Sequence, residues 1–217
     1  MNTKVAKDTI AVIRKERRRR MSRLPDEPDA ADYVWRYTDE PFVNDLCLMV
    51  LVAIHHQVER EILALAARMT DDGEPLSRTE YEQRVQTERG RWRRRQDKRE
   101  VIARLNLRSF GQWDTSMETL RLLANSYKHE PSGRPDAELL RHLKLDVRRK
   151  YMALVDSDGL REGLAASLDL KKNADYCDIA DAFLMRADQF LAAVKRQPGL
   201  SKVKRGALSV FRGYGEY

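Results

Sequence analysis

An all-α fold, an antiparallel helical bundle with a basic N-terminal arm and a basic C-terminal tail, is what this sequence predicts. Three observations carry the expectation. Apolar residues recur at three- and four-residue steps over long windows, and no strand-like alternation lasts more than a few positions. The 217 residues include only 10 glycines and 7 prolines, too few turn formers for a chain of many short strands. At this length a chain can bury a core without help from disulfides or metal.

Residues 1–29 read as a basic arm and linker. Ile10, Ile13 and the run Arg14-Lys15-Glu16-Arg17-Arg18-Arg19-Arg20 continue one helix, which Leu24-Pro25-Asp26-Glu27-Pro28-Asp29 breaks with two prolines and a switch to acidic residues. The bundle itself is expected over residues 30–196. Its strongest helix starts at Pro41, where Phe42, Leu46, Met49, Val50, Ala53, Ile54, Val58, Ile62, Leu65 and Met69 keep helical spacing, and ends near Thr70-Asp71-Asp72-Gly73-Glu74-Pro75.

Ser77 lies three residues before Glu80, a capping-box spacing that opens the next helix; residues 77–105 are densely charged with few apolar anchors. A further helix runs from about Ser109 to His129, with Trp113, Met117, Leu120, Ala124 and Tyr127 in a narrow arc, and Glu130-Pro131-Ser132-Gly133 stops it. Pro135-Asp136 suits the first turn of a helix carrying Leu139, Leu140, Leu143, Val147 and Tyr151, closed by Asp156-Ser157-Asp158-Gly159. Residues 160–170 read as a short helical or irregular link. The last helix, about Ala174 to Arg196, presents Ile179, Phe183, Ala187, Phe190, Leu191 and Val194 on one stripe. Pro198-Gly199 ends it, and residues 197–217 form a basic tail with Lys204, Arg205 and Arg212 around Phe211, Tyr214 and Tyr217.

The formal charge of +7 raises the local concentration of anionic partners, RNA or other nucleic acid foremost. Cys47 and Cys177 have no spacing of the kind zinc or redox sites use, and both are expected reduced in a cytoplasmic setting. The N-terminus runs into arginines without an apolar signal core, and the longest apolar run, residues 46–54, is short of the roughly 20 residues a membrane span needs. No membrane association is expected. Phosphate-binding loops, dinucleotide fingerprints, zinc-protease motifs and nucleophile elbows are all missing from the sequence, so no cofactor is expected and ordinary kinases, dehydrogenases and hydrolases have no residues to stand on.

The stretch richest in chemistry is Arg121-Leu122-Leu123-Ala124-Asn125-Ser126-Tyr127-Lys128-His129. Arg121, Asn125 and His129 are spaced i, i+4, i+8, which on a helix keeps them within about 80° of one another, with Lys128 on the flank. Such a polar ridge holds parts for metal-independent phosphodiester cleavage: a histidine to move a proton, and cations to hold and neutralise the phosphate.

Asn125-Ser126-Tyr127-Lys128-His129 on a late bundle helix, ahead of a loop, resembles the motif of the HEPN superfamily, helical-bundle proteins that include ribonucleases of defence and toxin–antitoxin systems. In that motif an arginine usually stands directly before the small polar residue. Here Ala124 occupies that place, and seven residues separate Arg121 from His129. The resemblance implies a metal-independent endoribonuclease, active as a homodimer, in which Arg121 binds phosphate, His129 is general acid or base and Asn125 orients the 2′-hydroxyl. The displaced arginine favours the alternative, a non-catalytic helical module that binds nucleic acid or a protein partner.

Two further features stand beside this ridge. His55 and Glu59 are four residues apart, next to His56 and Arg60, but two ligands do not make a metal site and no metal is expected. Arg89-Gly90-Arg91-Trp92-Arg93-Arg94-Arg95 places an aromatic ring among guanidiniums, the combination that stacks on an unpaired base and takes its phosphates. Arg91, Trp92, Arg93, Arg94 and Arg95, with Lys128, are therefore the expected nucleic-acid contacts, although Glu82, Glu88, Asp97 and Glu100 are interleaved to pair with them.

Overall fold

A computed structural model of the chain describes residues 3–70, 74–129, 134–148, 153–154 and 158–203, apart from the side chains of Thr3, Arg95, Gln96, Asp97 and Gln112. The turn residues expected at 71–73, 130–133 and 156–157, Tyr151, and the tail from Lys204 to Tyr217 lie outside the described residues.

The architecture is an all-helical bundle. In chain order the helices are α1 (Thr3–Met21), α2 (Pro28–Val34), α3 (Glu40–Ala66), α4 (Arg78–Arg93), α5 (Arg95–Arg104), α6 (Gln112–His129), α7 (Ala137–His142), α8 (Asp158–Ser167) and α9 (Tyr176–Val194). One π-helical turn, Trp35–Asp39, joins α2 to α3, and a 3₁₀ turn, Leu107–Phe110, precedes α6. Among the described residues there is no strand, only isolated bridges pairing Met69 with Leu200 and Leu76 with Val203. The chain divides into two compact units, Met1–Gln57 with Thr115–Asp188, and Val58–Asp114 with Gln189–Tyr217.

In the first unit, Val43, Cys47, Leu48, Leu51 and Ile54 of α3 are buried, as are Leu120, Leu123 and Ala124 of α6, Leu160 and Leu164 of α8, and Ile179 and Phe183 of α9. The basic N-terminal segment is held by both packing and charge. Ile10 and Ile13 are buried, while Arg14 pairs with Asp178 (2.7 Å) and Asp181 (2.6 Å), and Arg17 with Asp175 (2.5 Å). Arg20 pairs with Asp39 (2.5 Å), bonds Glu16 (2.9 Å) and lies over the Phe42 ring (4.3 Å). Hydrogen bonds from Arg19 and Arg20 hold the Glu16 carboxyl down at about 2.

The second unit buries Ile62 and Leu65 of α3, Val101 of α5, Leu105 and Leu107 beyond it, and Phe190, Leu191 and Val194 of α9, with Phe110 edge-on to Phe190 at 5.7 Å. The capping box of α4 forms as its spacing requires: the Ser77 hydroxyl accepts from the Glu80 amide, and the Glu80 carboxylate accepts from the Ser77 amide. The charged stretch 77–105 is nevertheless two helices, because Arg94 adopts an extended conformation (φ −95°, ψ 122°) between α4 and α5.

Periodicity through Leu143, Val147 and Tyr151 predicts a longer α7 than the one observed. Asp136 caps its start as expected, but the helix stops at His142. Lys144 is left-handed (φ 57°) and the Leu145 amide returns to the Leu140 carbonyl (2.8 Å), a Schellman-type ending. The Leu145 side chain thereby lies against Gly163, so closely that a Cβ there would meet its Cδ1 at 2.9 Å. Residues 160–170, read as a short helical or irregular link, are helical over most of their length, as part of α8.

The continuous helix Pro28–Ala66 includes an 18-residue window of mean hydropathy 1.3, long and apolar enough to cross a membrane; 39% of that window is buried in protein. Leu51 is fully buried and Met49 is 53% exposed. Leu51→Ala is expected to cost about 2–5 kcal/mol in urea denaturation, and Met49→Ala less than about 0.5 kcal/mol.

Candidate nucleic-acid interface

The ridge on α6 is only partly assembled. Arg121 donates bidentately to Glu118, one turn earlier (2.8 and 2.6 Å), and lies 3.7 Å from Glu138 of α7. Its guanidinium is thus committed to carboxylates and is not presented to a phosphate. Asn125 is half-buried, and the Ser126 hydroxyl, itself buried, accepts the Asp136 amide (3.0 Å). His129 is exposed on the last turn and makes no hydrogen bond or ion pair among the described residues. Spacing on the helix had placed Lys128 on the flank near Arg121. The structure gives it a partner on α3 instead.

That partner is His56: the Lys128 ammonium, which has only donors, sits 3.2 Å from His56 Nε2. The neighbouring Tyr127 hydroxyl donates to Asp45 Oδ1 at 2.8 Å. Asp45 and His56 fall on one stripe of α3, eleven residues or about 16 Å apart, so adjacent side chains of α6 pin α3 at points three turns distant. Burial, then the hydrogen bond to Asp45, pushes the Tyr127 phenol up to about 12. Neither Asp45 nor His56 was among the expected site residues. His56 stands out in the sequence only as a neighbour of His55 and Glu59, and Asp45 only by its place on the less apolar face of the helix.

The second candidate surface is the α4–α5 hairpin in the other unit. Residues 78–104 carry ten arginine and lysine side chains against five carboxylates, a local excess of +5. Glu88, buried to 4%, organises the hairpin: it accepts from Arg91 on its own helix (3.2 Å) and from Arg104 on α5 (2.6 Å). These three side chains, with Arg84 and Met69, line a cleft of about 210 Å³. Arg89, Arg93, Arg94 and Arg99 are exposed, and Arg89, Arg93 and Arg99 make no ion pair among the described residues. The side chain of Arg95 lies outside the described residues.

Trp92 does not stand open as a stacking face. It is half-buried, its indole nitrogen donates to Glu59 (3.1 Å), and the Lys98 ammonium covers its ring at 4.3 Å from the centroid. Glu59 is therefore occupied from the α4–α5 side, and Lys98 adds a 4.0 Å ion pair to it. Exposed aromatic rings occur in the first unit instead, where Tyr33 (64%) and Tyr37 (71%) pack at 4.9 Å beside the π turn. His55 is buried in α3. Among the described residues no group of three or more His, Cys, Asp or Glu side chains is arranged to hold a metal ion.

No protein-family model, no curated protein and no solved structure matches this chain, so none of these comparisons supports the HEPN resemblance.

The Tyr127–Asp45 bond has a pH signature. The folded-state value lies above the ordinary 10, so the neutral phenol favours folding; this contribution is complete below about pH 10 and is lost as pH rises through about 12. A difference ultraviolet titration of wild type against Tyr127→Phe is expected to isolate one phenol titrating near 12, and Asp45→Asn should move it back toward 10.

Proposed function

We propose that this chain is a non-catalytic helical module that binds nucleic acid through the phosphate backbone, using the α4–α5 hairpin. The observation that carries this reading is the hairpin's own excess of +5 on residues 78–104, with Arg89, Arg93 and Arg99 exposed and outside any ion pair among the described residues. Glu88 adds to it by stiffening the hairpin, since a guanidinium on a fixed helix loses less freedom on meeting a phosphate than one on a loose arm. With the Trp92 ring covered by Lys98, the contacts available are to phosphates rather than to bases, and binding is expected to be tolerant of sequence.

A ribonuclease of HEPN type is the second reading. One observation favours it: exposed His129 adjoins Lys128, whose ammonium meets exposed His56, so two imidazoles and a cation occupy neighbouring positions on α6 and α3. Against it stands Arg121, held by Glu118 and Glu138. Catalysis would require a second copy, or a substrate able to displace both carboxylates.

Fluorescence titration of labelled RNA and DNA against wild type and the Arg89→Ala/Arg93→Ala/Arg99→Ala variant tests the first reading. The variant is expected to bind roughly 10- to 100-fold more weakly, with the slope of log K against log salt reduced by about 2–3. Equal binding by the two proteins would remove the hairpin from consideration. Gel analysis of the same RNA with EDTA present tests the second: cleavage by wild type that His129→Ala abolishes would replace the binding module with an enzyme.

A further inference from the structure

Cys47 of α3 and Cys177 of α9 are 130 positions apart in sequence, and the fold brings their sulfurs to 3.4 Å. Both are free thiols, 0% and 1% exposed. Two cysteines in contact in a core are ordinarily just small apolar side chains. The surroundings of this pair are different. Cys177 is the second residue of α9, where the helix N-terminus favours a thiolate. Arg14 and Arg17 face it from α1, and the carboxylates nearby, Asp175, Asp178 and Asp181, are each engaged by one of those guanidiniums.

The Cys177 thiol is drawn below its ordinary value by the hydrogen bond from Cys47 and by Arg14 and Arg17, against burial and the Asp175 charge. Cys47 is pushed up by its contact with Cys177 and by burial. At 3.4 Å the two sulfurs share one proton, which favours ionisation of one of them beside Arg14 and Arg17. Closing a disulfide, at about 2.05 Å, asks the sulfurs to approach by roughly 1.3 Å, a modest adjustment of two side-chain rotations.

We infer that Cys47 and Cys177 form a reversible dithiol–disulfide pair, oxidised in the folded protein by low-molecular-weight disulfides. In the first step the Cys177 thiolate attacks one sulfur of the external disulfide, forming a mixed disulfide and expelling one thiolate. In the second, Cys47 gives up its proton and attacks the Cys177 sulfur, expelling the other thiolate. Two protein thiols are oxidised, one external disulfide is reduced to two thiols, and the two protons leave on them. A groove of about 480 Å³ lined by Arg14, Ala174, Asp178 and Asp181 runs beside the first turn of α9; neither cysteine lines it, so a small reagent reaches Cys177 only when that turn opens locally. The product ties α3 to α9 covalently, independently of any binding by the α4–α5 hairpin.

The full-length protein, native and in urea, is incubated in glutathione redox buffers of increasing oxidised fraction, quenched in acid, and alkylated under denaturing conditions for intact-mass measurement. The native protein is expected to pass from a doubly alkylated form to an unalkylated form lighter by two hydrogens, at an oxidised fraction where the urea-unfolded chain still carries glutathione or free thiols. Cys47→Ser should stop at a single glutathione adduct on Cys177. Retention of two alkylatable thiols in the native protein, or accumulation of its glutathione adducts without closure, would overturn the inference. The wild-type measurement decides it even if Cys47→Ser does not fold.

Discussion

The structure depends on the need to cover α3. Its buried side chains, from Val43 to Ala66, sweep an arc of roughly 220° when placed at 100° per residue, more than half of the helix circumference. A helix this apolar is stable in water only when protein surrounds it, and most of the favourable free energy of the fold comes from removing that surface from water. The remaining narrow stripe, with Asp45, Met49 and His56, is where polar chemistry approaches the helix, and there Tyr127 and Lys128 of α6 make their contacts.

Charge is distributed on a different logic in the two basic segments. On α1 three arginines are spent on tertiary structure: Arg14, Arg17 and Arg20 each meet a carboxylate, and Ile10 and Ile13 are buried on the same helix. On α4 and α5 the arginines outnumber the carboxylates, and buried Glu88 serves to lock the hairpin rather than to neutralise it. Two sequence runs that look alike by composition therefore differ physically. Lys4, Lys7, Lys15 and Arg18 of α1 are exposed too, so both runs act at a distance, but the hairpin carries the larger share of its charge on arginines outside ion pairs among the described residues.

Much of this was legible from the chain. Helical spacing located α3, α6 and α9, because apolar periodicity reports burial directly, and Ser77 with Glu80 located the start of α4. Boundaries set by tertiary contact were not legible: Leu143 and Val147 keep helical spacing, yet Leu145 turns back to pack on Gly163 and ends α7 early. Nor does anything local mark the extended conformation of Arg94. At the candidate site, the clustering on α6 was visible, but the pairing of Arg121 with Glu118 was overlooked although it is a plain i, i+3 relation. The contacts to Asp45 and His56, and the meeting of Cys47 with Cys177, span 72 to 130 residues and need the fold itself.

Nine of the ten cations on residues 78–104 are arginine, and the tenth is Lys98. A guanidinium does not deprotonate under conditions a protein survives, so the charge of this face is fixed. Acetylation has one lysine to act on, and its ammonium already covers Trp92. A polyanion held on such a face would not be let go by a change in acidity or by lysine modification; it would leave by competition, displaced by salt or by another polyanion.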